Sequence, residues 1–170
     1  QYNGEAFIFW ASGAASLVRK AAYDKLGGLY EYFFMHNEEI DLCWRALNQG
    51  YSIGYHGQSV VYHLGGGSLA KESPRKTYFN FRNNLVMICR NMPVAQLLMA
   101  LPARLLLDVL ASGQLVASGK FDNGISVLKA WLSFLTWLVK PGKNKWPGNR
   151  KAFKGPGRYG GSIVWQYFVK

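Results

Sequence analysis

The chain has 170 residues, about one domain's worth, and its 49% hydrophobic and 15% aromatic content against 17% charged residues supplies the apolar surface of a real core. That balance excludes a disordered or fibrous chain. The formal net charge of +11 is unevenly placed, since residues 1–74 are net −2 and residues 75–170 net +13, so the second half calls for an anionic partner, with lipid head groups and nucleic acid as the two obvious classes.

No fixed-period repeat occurs, so solenoid architectures drop out. Cys43 and Cys89 stand singly among apolar neighbours, which supports neither a disulfide framework nor a Cys-type zinc site and fits a cytosolic setting. The chain opens at Gln1 on a polar stretch with no secretory signal, and without an initiator Met its start reads as a cut.

In chain order, residues 5–20 read as a strand, a tight turn at Ser12-Gly13-Ala14, and a strand or helix start near Arg19-Lys20. Residues 21–26 followed by Gly27-Gly28 predict a short helix with a glycine stop, and the aromatic run 29–35 predicts an extended or looped segment. The next segment is a plain amphipathic helix: Asn37 is placed to cap it, Ile40, Cys43, Trp44 and Leu47 recur at i, i+3, i+4, i+7, and Gly50 stands just past its end. Residues 51–55 and 59–63 predict short strands either side of a turn at His56-Gly57, the second running into Gly65-Gly66-Gly67-Ser68. Helices are expected over about 73–90, 94–111 and 123–139, with Pro93 separating the first two. The uncharged runs 91–103, 109–119 and 130–139 are each shorter than the roughly 18 apolar residues a spanning helix needs, so the sequence supports a transmembrane pass only weakly. Residues 140–170, with eight Lys/Arg, six Gly and no acidic residue, read as a basic, aromatic, loop-rich tail.

Glu38, Glu39 and Asp41 crowd the first turn of the amphipathic helix, where the helix dipole favours negative charge, and Asp41 and Arg45 have i, i+4 spacing for an ordinary pair. The dipole does not account for two adjacent carboxylates behind an aromatic run, because neighbouring residues point in different directions. One can be held by the scaffold while the other faces a cleft and takes a proton from a substrate hydroxyl.

The succession Ser12-Gly13-Ala14, Arg19, Leu26-Gly27-Gly28, Phe33-Phe34-Met35-His36-Asn37-Glu38-Glu39-Ile40-Asp41-Leu42-Cys43-Trp44-Arg45, Gly50-Tyr51 and Val60-Val61-Tyr62-His63-Leu64-Gly65-Gly66-Gly67-Ser68 resembles the acceptor-side half of family 2 inverting glycosyltransferases. Lys76 and Arg82-Asn83 resemble the Lys and Arg-Asn pair that follow in the rhamnosyltransferase-like branch, so the resemblance covers residues 1 to about 92. It implies an α/β chain, the C-terminal part of a GT-A fold over residues 1–92; composition adds an apolar, membrane-associating helical region over 93–139 and the basic tail over 140–170. It also implies a nucleotide-sugar donor, a glycan or lipid-linked acceptor, and a divalent cation, Mn²⁺ or Mg²⁺, bound mainly by an Asp-x-Asp motif that this chain lacks. The expected setting is cell-surface polysaccharide synthesis at the cytoplasmic face of a bacterial inner membrane, peripherally or loosely anchored. The family's base is usually an Asp and falls on Glu39 here, with Glu38 beside it as the alternative; His63 matches a histidine that completes the metal site in parts of the family. On this view the donor-binding half lies upstream of Gln1 and the 170 residues alone are inactive.

Asp41, Trp44, Arg45, Lys76 and Arg82 are the expected acceptor or phosphate contacts, Arg82 because a guanidinium meets phosphate bidentately. Residues 94–111 carry only Arg104 and Asp108, four apart and able to pair, so that helix is buried or laid against lipid. Basic residues interleaved with Trp and Tyr suit an anionic membrane interface. The competing classes are a nucleic-acid-binding module, for which the tail lacks any recognised motif and the apolar helices are superfluous, and a non-catalytic scaffold of transferase descent. A membrane surface, and no nucleic acid, is the expected partner.

Overall fold

A computed structural model describes residues 4–63 and 73–140, together with 142, 146, 147, 150 and 166. The elements run β1 (Glu5–Phe7), α1 (Lys20–Leu26), a 3-10 turn (Glu31–Phe33), α2 (Glu38–Asn48), β2 (Gly54–His56), α3 (Pro74–Asn91), α4 (Val94–Ala117) and α5 (Phe121–Val139). The described residues are therefore mostly helical with one small sheet, which fits a mixed α/β chain only loosely.

The sheet is an antiparallel ribbon in which Glu5 faces His56 and Phe7 faces Gly54. His56, expected in a turn, is instead the last residue of β2, and its Nδ1 lies 2.8 Å from Glu5 Oε1. Residues 59–63 do not form the expected strand: Val60, Val61 and Tyr62 are exposed, and with no ladder partner among the described residues their β propensity has nothing to act through. The glycine loop that follows, and most of the basic tail, lie outside the described residues.

The helices follow local signals closely. Gly27 ends α1 at φ 79°, and the N–H groups of Gly27 and Gly28 return to the carbonyls of Asp24 and Tyr23, a closure that needs the left-handed backbone glycine adopts freely. Ser73 caps α3, its Oγ accepting from the Lys76 N–H at 3.2 Å, with Pro74 in the first turn where no N–H is required. Helix α4 runs six residues past the expected Ala111. Tertiary contact sustains the extension: Ser112 Oγ donates to the Gly124 carbonyl at 3.0 Å, and a Cβ on Gly124 would come within 2.6 Å of Val116 Cγ2, so α4 and α5 meet at that glycine with no room for a side chain.

One apolar core joins Phe33 of the aromatic turn, Leu85, Val86, Met87 and Cys89 of α3, Leu97 of α4, and Phe134 and Trp137 of α5. Helix α5 thus shares its core with segments that precede residue 92. Helix α4 contributes little to it. Of its 24 residues only Leu97, Asp108 and Ser112 are buried. The expected Arg104–Asp108 pair is present, Arg104 Nε donating to Asp108 Oδ1 at 2.7 Å, with Trp131 Nε1 donating to the other oxygen at 2.9 Å and Arg104 also reaching Asn84 Oδ1. Because its two charges are matched within this network, α4 is a single apolar helix of about 36 Å at 1.5 Å per residue. By length and composition it can cross a bilayer, which the separate uncharged runs in the sequence did not indicate.

Candidate active site

The approach to α2 carries unusual backbone. Phe34, His36 and Asn37 all have positive φ, at 62°, 63° and 71°. Such angles are uncommon for residues with a Cβ, least so for Asn and His, and a strain of order 1–3 kcal/mol at each persists only where the surroundings hold the backbone there. Here α3 holds it. Arg82 Nη2 donates to the carbonyls of Tyr32 at 2.7 Å and Phe33 at 3.1 Å, while Arg82 Nε donates to Asn83 Oδ1 at 2.8 Å. The Asn83 amide in turn donates to the carbonyls of Phe33, Met35 and His36. The guanidinium is sandwiched by aromatic rings, 4.4 Å from the Tyr32 centroid and 4.8 Å from that of Phe79. Arg82 is buried, and with its Nε and Nη2 bonded in this way it clamps the turn that delivers the acidic residues, where a phosphate contact was expected.

Asn37 occupies the capping position of α2, but its left-handed backbone turns the side chain away and it makes no capping hydrogen bond. The Glu39 carboxylate accepts from its own backbone N–H instead. The three carboxylates of this first turn then diverge. Asp41 is wholly buried: Oδ2 accepts from Arg45 Nε at 2.8 Å, and Oδ1 from Arg90 Nε at 2.9 Å and Asn91 Nδ2 at 2.7 Å. Arg45 continues inward, donating to the carbonyls of Leu26 and Gly28 at the end of α1, and Arg90 lies 3.8 Å from the Tyr30 ring centroid. The expected role of Asp41 and Arg45 in contacting the acceptor is therefore replaced by an interior one. They fasten α1, α2, α3 and the aromatic turn to each other, and their charged atoms are spent on that.

Glu38 and Glu39 are only half-buried, yet the Oε2 atom of each is shielded from solvent and has no hydrogen-bond partner among the described residues. The same holds for His36 Nε2 and Trp44 Nε1. Buried polar atoms are nearly always paired, so four unpaired ones on or just ahead of the first two turns of one helix call for an explanation, and a ligand that supplies the missing bonds is the most direct. Burial pushes the Glu39 carboxyl above its ordinary value, and the neighbouring Glu38 adds to the rise. Burial, and the charge of Lys76, lower the His36 pKa from its ordinary value, against the pull of Glu38. Gly13 of the Ser12 turn lies against the Glu39 stem, where an added Cβ would stand 3.7 Å from Glu39 Cβ. Trp44 packs edge-on to Phe9, with ring centroids 5.5 Å apart.

His63 is exposed, at the last described position before the glycine loop. Among the described residues no three His, Cys, Asp or Glu side chains gather where they could hold a metal ion. The donor set of a divalent cation is thus not assembled by them. Glu38 and Glu39 keep shielded oxygens in the first turn of α2, with His36 just ahead of it and Gly13 against the Glu39 stem, while Asp41, Arg45 and Arg82 make interior hydrogen bonds. The clamp by Asn83 and the Arg90–Asp41 bond escaped the sequence reading; the only hint was Arg-Asn twice, at 82–83 and 90–91, two helical turns apart.

Curated proteins match parts of the chain. A stretch of 77 residues, 45% of the chain, is 29% identical to the low-salt glycan biosynthesis hexosyltransferase Agl10 of Haloferax volcanii, covering 25% of that protein. A stretch of 56 residues, 33% of the chain, is 36% identical to the N-acetylglucosaminyl-diphospho-decaprenol L-rhamnosyltransferase of Mycobacterium tuberculosis, covering 18% of it. The matched stretches span a quarter or less of these relatives' own length. No family model matches, and no solved structure matches. The chain is related to glycosyltransferases.

Proposed function

We propose that the chain is the acceptor side of an inverting glycosyltransferase of family 2 and GT-A type, moving a sugar from a nucleotide-sugar to a hydroxyl of a glycan or lipid-linked acceptor. The observation that carries this reading is the pair of shielded, unpartnered carboxylate oxygens of Glu38 and Glu39 behind a strained, clamped turn. Glu39 is the base. Its raised pKa keeps the carboxylate basic enough to accept the acceptor hydroxyl proton as that oxygen bonds to the anomeric carbon; the bond to the nucleotide diphosphate breaks on the opposite face, and its electron pair leaves on the phosphate oxygen. The Trp44 indole N–H and the neutral His36 imidazole orient the acceptor, and the Lys76 ammonium favours phosphate nearby. Arg82 and Asn83 are positioning residues, acting through the turn they hold.

The donor nucleotide and a divalent cation are, on this reading, held by another part of the whole protein. The described residues offer His63 toward that cation but no complete donor set, and no step here is routed through it. The long apolar α4 and the net +13 of residues 75–170 suit work at an anionic membrane surface, on the cytoplasmic face of a bacterial inner membrane.

Replacing Glu39 by Gln in the complete protein, assayed with nucleotide-sugar and acceptor, is expected to lower kcat by roughly 10²–10⁴-fold with little change in acceptor KM. Loss in Glu38→Gln with an active Glu39→Gln moves the base by one residue. Full activity in both variants ends the transferase reading.

A further inference from the structure

Helix α4 turns its two charges inward and its apolar surface outward. Leu97 enters the common core, Arg104 reaches Asn84 of α3, Asp108 accepts from the Trp131 indole of α5, and Ser112 donates to the Gly124 carbonyl, so one side is tied to its neighbours over most of its length. Away from that side, every exposed residue from Leu98 to Leu110 is apolar, with Leu98, Met99 and Leu106 74%, 80% and 62% exposed. At 3.6 residues per turn, Leu105, Leu98, Leu106, Met99 and Leu110 fan over about 140° of the circumference. Beyond that arc stand Gln96 and Gln114, both exposed and about five whole turns apart, which places them on one edge of the helix.

Helix α5 continues the face. Phe121, Ile125, Leu128, Leu132, Leu135 and Val139 are exposed and recur at i, i+4, i+7, i+11, i+14 and i+18, one stripe of the helix. The exposed Lys129 and Thr136 border it on one flank, and the Gly124 and Trp131 contacts put α4 on the other. A contiguous apolar face of this width marks contact with another body. Charge decides which. Residues 75–170 carry a net +13, so two copies meeting through this half would repel, whereas an anionic lipid surface attracts it.

We propose that α4 and α5 lie along one leaflet of an anionic bilayer, sunk on this face, and that α4 does not cross the bilayer although it is long enough. Crossing would draw α3 in with it through the Arg104–Asn84 bond and the common core, and α3 bears Arg75, Lys76, Arg82 and Arg90, the last bonded to Asp41 of α2. Charges are costly in hydrocarbon. Lying flat leaves Gln96 and Gln114 together at the water line, as their shared edge allows; a crossing helix would send them to opposite surfaces, about 27 Å apart along its axis. This deepens the membrane setting proposed above and rests on that setting, not on the sugar chemistry.

The test adds the full chain to sealed vesicles of phosphatidylcholine with about one third phosphatidylglycerol. Cysteine variants are read with a membrane-impermeant maleimide, above the background of Cys43 and Cys89 in the parent. Gln96→Cys and Gln114→Cys should both label fully from outside, with no gain when detergent is added, while Leu106→Cys should label about tenfold more slowly with vesicles than without. Leu106→Glu, at an exposed position, should weaken vesicle binding about tenfold, and vesicles of phosphatidylcholine alone should bind less tightly than the anionic ones. A gain in labelling at either glutamine position on adding detergent means that α4 crosses, and overturns the proposal. Equal labelling of Leu106→Cys with and without vesicles, or equal affinity for neutral and anionic vesicles, also overturns it. So does a chain that ignores vesicles and forms a dimer which Leu106→Glu returns to monomer, the outcome that gives the face to a second copy. Glu39→Gln should bind vesicles like the parent, so a failed base assignment leaves the vesicle result standing, and a failed vesicle result leaves the base assignment standing.

Discussion

The first turn of α2 has two sides that treat their carboxylates in opposite ways. Toward α3, Asp41 has both oxygens bonded by two arginines and an asparagine, with none of its surface exposed. Two and three residues earlier, Glu39 and Glu38 each keep a shielded oxygen that nothing described satisfies. The same residue chemistry on one helix turn is thus structural on one side and held in reserve on the other, and burial with matched cations is what separates the two.

The largest effect should come from the satisfied side. Asp41→Ala leaves Arg45 and Arg90 buried without their anion, and removal of one partner from such a network costs about 3–5 kcal/mol. Chemical denaturation should show that loss, and a variant as stable as the parent would mean that the network is not the tie between α2 and α3. Asn83→Ala comes next. It takes the Asn83 donor from the Met35 and His36 carbonyls, while the Phe33 carbonyl keeps Arg82, so a loss of about 1–3 kcal/mol is expected, with activity falling further than stability because Glu38 and Glu39 lose their placement. A drop in melting temperature with kcat untouched would separate the clamp from the site.

The smallest stability effect belongs to the unsatisfied side and has the opposite sign. The folded-state pKa of Glu39 is raised, so its protonated form is favoured by folding; stability from this group is fully present below the ordinary glutamate pKa and is lost as pH rises through the folded value. Glu39→Gln should therefore be neutral to slightly stabilising at pH 7 and should remove that part of the decline in stability with rising pH. Greater destabilisation at pH 7 than at pH 4 would show that Glu39 has an internal partner. The acid limb of kcat/KM should likewise lie above the ordinary carboxylate range and vanish in this variant.

Much of the helical architecture was legible because its signals are local. The Gly27-Gly28 stop, the Ser73-Pro74 start and the apolar period of α2 each act within a few residues, and all three lie where the sequence places them. The i, i+4 pairs Asp41–Arg45 and Arg104–Asp108 were legible for the same reason. Residues 59–63 were misread as a strand because a strand exists only through its neighbour, and α4 was read short because its continuation depends on α5 packing at Gly124. Arg82 looked like a phosphate contact because guanidinium chemistry is the same whether the oxygen belongs to a phosphate or to the Tyr32 carbonyl; only the path of the chain decides which is near.

By itself the sequence determined where α1 ends and α3 begins, that α2 is acidic at its start, and that positive charge gathers in the second half. Tertiary structure alone decided which carboxylate is buried, which arginine is spent on backbone carbonyls, and that three residues before Glu38 adopt left-handed backbone. The reason is physical: capping, periodicity and i, i+4 pairing are fixed by bonds a few residues long. Desolvation and the satisfaction of buried polar atoms depend on groups some fifty residues away, such as Arg90 on Asp41 and Asn83 on the Met35 carbonyl.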